Sequence, residues 1–175
     1  LGSSAWIAVS GHEPIVDIQY KPYVFTHCIP GMFVSSTAIF SAGSAFRWLR
    51  DTVCRNLLDE PAPYDAMTRL AAQAPIGANK LIFNPSLAGG SSLDKSPNIK
   101  GGFIGLQLGH TQGDLIRAAM EGICLNLKIA LDVMESYMPL SNDMLLVGGG
   151  GKSRFWRSLF ANIYHKNILE TTIGQ

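Results

Sequence analysis

The sequence predicts an α/β domain with a mixed sheet and flanking helices, and three observations predict it. The first is a series of β-rich runs near the start, separated by Gly and Pro. The second is a long amphipathic helix entered after Gly109. The third is Asp143 to Tyr164, DMLLVGGGGKSRFWRSLFANIY, which reads as a strand, a turn of four glycines and a helix. Strands followed by alternating helices and strands exclude both an all-β sandwich and a doubly wound dinucleotide fold.

The 175 residues suit one domain, large enough to bury roughly 70% of the surface its unfolded form exposes. With 47% hydrophobic and 15% charged residues it can fill a core under a modestly charged surface. A net charge of +1 gives no electrostatic footprint for nucleic acid or an anionic membrane, so a small-molecule partner is expected. Cys28, Cys54 and Cys124 are odd in number, far apart and without a CxxC pair. That argues against a disulfide framework or a zinc site and points to a reducing cytoplasm. No run is apolar for long enough to cross a bilayer, and no signal peptide is visible. The chain has no initiator Met and opens on LGSSAW, in what reads as the end of a strand. A piece of a longer protein is the expectation.

Taken in order, Gly2-Ser3-Ser4 precedes the apolar run Ala5 to Val9. Such a turn serves either as an ordinary polar turn or, through its N–H and O–H donors, as a phosphate cradle. Ile15 to Tyr20, Tyr23 to Ile29 and Met32 to Phe40 read as antiparallel strands. His12 and His27 lack a second metal ligand at useful spacing and read as turn or strand residues. Ser41 is the expected N-cap of a helix over Ala42 to Leu57, with Phe46, Leu49, Val53 and Leu57 on one face. Gly43 in its first turn costs about 1 kcal/mol relative to Ala, so either close packing or a ligand's approach to the backbone must require it.

Pro61 and Pro63 lead into a shorter helix, Tyr64 to Ala74. Asn79 to Leu87 reads as a strand running into a Gly- and Ser-rich loop, Ala88 to Lys100, long enough for a lid or a site rim. Gly101 to Leu106 is another strand. Thr111 with Asp114 forms a capping-box pattern for Gln112 to Met138, a helix of about 40 Å that ends at Pro139. Arg117 and Glu121, one turn apart, read as a surface pair. Met144 to Val147 is an apolar run of the kind covered on both faces in a parallel sheet. Ser153 caps the next helix, whose Phe155, Trp156, Leu159, Phe160 and Ile163 share a face, and Lys166 to Thr171 forms a last strand.

The four glycines match neither familiar nucleotide motif. A phosphate-binding P-loop needs glycine five positions before Gly151-Lys152-Ser153, where Leu146 stands; the dinucleotide fingerprint would place its third glycine on Ser153 or Arg154. A side-chain-free turn between a strand and a helix N-terminus still leaves room for a flat or anionic ligand, although four glycines can also make only a tight turn.

An antiparallel meander feeding βαβα units around a central sheet resembles the ribonuclease H-like architecture of actin-like ATPases. The resemblance becomes specific at Gly101 to Glu121, GGFIGLQLGHTQGDLIRAAME, which is similar to the second signature of the FGGY carbohydrate kinases. LGSSAW resembles that family's second phosphate motif, AGSAFRWLRD the helix carrying part of its adenosine site, and VGGGGKSRFWR its glycine-rich adenosine motif. With NPSLAGG and the long helix, the likeness covers almost all of residues 1–175, and within the family it is nearest to the xylulokinase group.

The resemblance implies the C-terminal, ATP-binding domain of a kinase whose two actin-like domains close over sugar and nucleotide. It implies ATP and Mg²⁺ as cofactors, a sugar, D-xylulose above all, held mainly by an N-terminal domain, and allows a homodimer. Ribulose, gluconate and glycerol remain open as substrates, and a noncatalytic actin-like nucleotide-binding module remains open as the alternative to an enzyme. Carried across position by position, the nucleotide-binding residues are Gly2, Ser3, Gly43, Arg47, Gly149, Gly150 and Arg154. None of the acids stands in the family's catalytic Asp context, so no catalytic or metal-ligating residue is expected within these residues. Ser3 replaces the usual Thr, Gly151 a usual Ala, and Gly90-Ser91-Ser92 a usual GER.

Overall fold

A computed structural model describes residues 2–170, whose elements follow the order read from the sequence except for one expected strand that does not form, with most strands after the first shorter than expected. β1 (Ala5–Gly11) and β3 (Phe33–Ile39) pair antiparallel, from Ala5 opposite Ile39 to Gly11 opposite Phe33. β2 (Tyr23–Thr26) pairs antiparallel on the other side of β3. Ala5 and Ile7 point into the core while Trp6 and Ala8 point out, the alternation a half-covered sheet requires. The strand expected over Ile15 to Tyr20 does not form. Ile15 N–H donates to Ser35 Oγ at 2.9 Å and Tyr20 N–H to Asp17 Oδ1 at 2.6 Å, so side-chain acceptors take donors that a ladder would have used.

α1 (Gly43–Thr52) starts after the expected cap, and Ala42 rather than Ser41 is its N-cap. The backbone N–H groups of Ala42 and Ser44 donate to Ser3 O and that of Gly43 to Gly2 O, at 2.9–3.0 Å, which satisfies the helix start without a capping side chain. Ser41 Oγ instead accepts from Ala88 N–H. The helix expected to reach Leu57 ends at Thr52, and Arg55–Leu57 form a separate 3-10 turn, with Val53 and Leu57 still packed against the core. α2 (Pro63–Gln73) carries its proline in the first turn, where the missing N–H costs nothing.

β4 (Ile82–Asn84) and β5 (Gly102–Ile104) pair antiparallel. The strand expected from Asn79 begins later because Ala78, Asn79 and Lys80 have φ values of 45°, 55° and 70°, incompatible with an extended ladder. α3 (Gln112–Tyr137) is the spine of the domain. Its capping box is formed, with Thr111 Oγ1 accepting from Asp114 N–H and Asp114 Oδ2 from Thr111 N–H. Ile116, Met120, Ile123, Leu131 and Met134 are fully buried against α2, β4, β3 and β1. Gly122 lets the helix touch β4: a Cβ there would lie 2.1 Å from Phe83 O.

Arg117 and Glu121 are not a surface pair. Their side chains are 9% and 13% exposed, Nε meets Oε1 at 2.5 Å, the guanidinium lies over the Phe155 ring, and Glu121 also accepts from Gly77 N–H. Phe155 and the Gly77 turn cover the face that a lone helix would leave to solvent.

β6 (Asp143–Leu145) and β7 (Asn167–Leu169) pair in parallel, linked through α4 (Arg154–Tyr164), whose Ser153 cap accepts from Trp156 N–H. Thr171, expected in this last strand, lies outside the described residues. Met144 to Val147 is not covered on both faces: Leu145 is 58% and Val147 46% exposed. Among the described residues pairing falls into three sets, β1-β3-β2, β4-β5 and β6-β7, so β6 has β7 as its paired neighbour. Among the described residues no helix is long and apolar enough to cross a membrane.

Candidate functional site

The turns at the start of β1 and after β6 meet across a groove of about 540 Å³ closed by α1 and α2. Gly2, Ser3, Gly43, Arg47, Gly149 and Gly150 all line it; Arg154, exposed in the first turn of α4, does not. Six of the seven residues nominated from the sequence are thus brought together from three separate stretches.

Each wall has a local cause. Ser3 O accepts from Ala42 N–H, Ser44 N–H and Ser44 Oγ, which ties the β1 turn to the start of α1. Gly43 is required by packing: a Cβ there would stand 2.2 Å from Gly2 O, with no flexible side chain to yield. The first amides of α1 are therefore spent on protein carbonyls, and no anion can use them.

Opposite, Gly148 sits at φ +84° and Gly149–Lys152 form a 3-10 turn. Gly151 would place a Cβ 2.5 Å from Leu146 O, so its departure from the resemblance's usual Ala matches this backbone. Arg157 Nη1 donates to Gly151 O at 2.6 Å and pairs with Glu170, clamping the turn from behind.

Sequence reasoning missed the aromatic floor and part of the rim. Phe46 stacks on Tyr64 at 5.7 Å and meets Trp156 edge-on at 5.4 Å, and all three line the groove. Arg50 lies 4.8 Å over the Tyr64 ring, with Nε bonded to Asp51 at 2.6 Å; that bond raises the Arg50 pKa and lowers that of Asp51. Asp65, Thr68, Lys152 and Ser153 complete the lining. Lys152, Ser153 and Trp156 stood within the glycine motif; the α2 residues had no signal, because only the tertiary fold carries them to the groove.

The arrangement offers a flat apolar floor, walls without side chains and a rim holding Arg47, Arg50 and Lys152 against Asp65. A planar ring with an anionic tail suits it chemically. The loop after Leu87 supplies no lining residue; it folds on itself through Ser91 and Asp94 and onto Ser41. Among the described residues no group of three or more His, Cys, Asp or Glu could hold a metal ion.

The family model for the C-terminal domain of the FGGY carbohydrate kinases matches residues 1–172. The chain is 31% identical over 168 residues to a xylulose kinase of Staphylococcus epidermidis, covering 96% of this chain and 33% of that one. It is 29% identical to a gluconokinase of Bacillus subtilis, covering 97% and 34%. The ligand-bound xylulose kinase of Lactobacillus acidophilus superposes with a TM-score of 0.85 at 28% identity, over 99% of this chain and 34% of that one. The chain spans about a third of the length of the relatives it matches.

Proposed function

The chain belongs to the FGGY family of carbohydrate kinases, and from that premise we propose that it is the ATP-binding part of an enzyme transferring the γ-phosphate of ATP to a sugar hydroxyl, D-xylulose above all. The observation that carries the reading is the convergence of Gly2, Ser3 and Gly43 with Gly149 and Gly150 on one groove floored by Phe46 and Trp156. In this reading the adenine lies against the main chain of the glycine turn. Arg47 and Lys152 face the phosphates, and the Ser3 hydroxyl stands toward the group transferred.

Phosphoryl transfer asks a protein mainly to position the reactants and offset charge; Mg²⁺ would supply part of that charge, and a carboxylate orients the attacking hydroxyl. The groove's residues fit the first task. No carboxylate here is assigned the second, so the 175 residues alone are expected to bind nucleotide and phosphorylate nothing. Xylulose kinases among the similar proteins favour D-xylulose; the similarity to gluconokinases supports gluconate as the second reading.

Trp156 provides the test, because a nucleotide in this groove must change its surroundings. ATP is expected to change the tryptophan fluorescence of the chain, and Trp156→Phe to remove that change while Trp6 and Trp48 remain. A response unaltered in the variant would place the ligand elsewhere. Sugar-dependent ADP release from the 175-residue chain would overturn the division of labour, and a sugar panel with the longer enzyme would decide between xylulose and gluconate.

A further inference from the structure

The groove between the glycine turns has two unlike ends, and the direction of α1 tells them apart. Gly43 starts the helix against Gly2 O, beside Ser3, where the transferred phosphate is placed. Arg50 comes two turns later, about 10 Å along the axis, and lies over the Tyr64 ring of α2. Tyr64, Asp65 and Thr68 therefore stand at the end of the groove remote from the phosphates. The aromatic floor leads to the same place, since Trp156 meets Phe46 and Phe46 stacks on Tyr64. A base covering that floor turns its polar edge toward α2, and the ribose stays on the Gly43 side, between base and phosphates.

The chemistry of that edge is one-sided. Asp65 and Thr68 are three residues apart on α2, hence neighbours on one helix face. The Asp65 carboxylate lines the groove and makes no hydrogen bond or ion pair among the described residues. Ionised, it can only accept. The Thr68 hydroxyl donates its single hydrogen to Tyr64 O at 2.8 Å, which leaves its lone pairs for the groove. The nearby cation is engaged, because Arg50 gives Nε to Asp51 at 2.6 Å and lays its guanidinium on Tyr64. Asp65 and Thr68 thus offer two adjacent acceptors and no hydrogen of their own.

Two adjacent acceptors are answered by a group with two hydrogens on one atom, an exocyclic amino group. An oxo group in the same place would turn its lone pairs on a carboxylate. We propose that Asp65 and Thr68 read the amino group of the base and so select adenine over a purine that carries an oxo group there. This assignment rests on the nucleotide reading of the groove and gives α2, which that reading leaves without a part, the discrimination between bases. Asp65 is exposed, so water competes with the ligand and the preference is on the order of tenfold, below that of a sealed site.

Isothermal titration of ATP, ITP and dATP into the 175-residue chain and its Asp65→Asn variant tests it. ITP bears an oxo group in place of the amino group, and dATP lacks one ribose hydroxyl. The parent is expected to bind ATP on the order of tenfold more tightly than ITP and to bind dATP as well as ATP. Asp65→Asn, whose amide can donate to the oxo group, should bring ATP and ITP to within about twofold of each other. Equal affinities for ATP and ITP in the parent would overturn the proposal, and so would a preference undiminished in the variant. Weakened binding of dATP would assign the acceptors to the ribose and overturn it too. If no nucleotide binds, the nucleotide reading itself fails; ATP bound without preference, with the Trp156 response intact, would sink only the part given to α2.

Discussion

Gly43 shows how one residue can be legible in the sequence for a reason the sequence does not contain. A glycine in the first turn of a helix demands a cause, and packing and ligand approach were equally open readings. The cause is Gly2 O, 2.2 Å from where a Cβ would stand. Gly43→Ala should therefore lower stability by about 1–3 kcal/mol, as overpacking against rigid backbone does, and a thermal melt would register it. A melt unchanged from the parent would show that the β1 turn is not held against α1. Gly151→Ala meets Leu146 O in the same way. Gly2, Ser3, Gly149 and Gly150 are all nominated on the resemblance; their meeting in one groove is a tertiary fact. Arg154 sits one position after the Ser153 cap, exposed and not among the residues lining the groove, which spacing along the chain could not reveal.

Among the elements, the helices were read closely and the strands less so, and the difference is physical. A helix carries its own hydrogen bonds and caps, so Thr111, Asp114 and the apolar face from Ile116 to Met134 announce α3 unaided. A strand exists only where a neighbour pairs with it, so Ile15 to Tyr20, β-rich in composition, turns instead. The capping box gives a pH prediction. Thr111 N–H, then the Thr111 hydroxyl and Asn79, hold the Asp114 carboxyl below the usual carboxylate range. A carboxyl whose folded pKa is lowered contributes stability that is complete above its unfolded value, near 3.9, and is lost as pH falls toward the folded one. Urea midpoints at pH 7 and pH 3 should drop more for the parent than for Asp114→Asn; equal drops would remove Asp114 from the acid response. The buried Arg117–Glu121 pair makes a larger claim. Glu121→Leu strands the guanidinium beneath Phe155 and frees Gly77 N–H, so chemical denaturation should show a loss of about 3 kcal/mol. A loss under about 1 kcal/mol would restore the surface-pair reading.

At the scale of the molecule, two grooves lie on either side of the β1 start: one floored by aromatic rings and walled by glycines, the other walled by strand edges. The α/β class was legible because the helical period and the order of segments are sequence properties. That the strands of the described residues pair in three sets was not, because a strand's partners are set by tertiary packing and not by its own residues. The nucleotide groove is the central claim, and isothermal titration of ATP into the chain and its Gly150→Val variant tests it most directly. The account predicts saturable binding to the parent and none to a variant whose circular dichroism is unchanged, since the valine side chain fills the space the adenine needs. Equal affinity in the two proteins would contradict it.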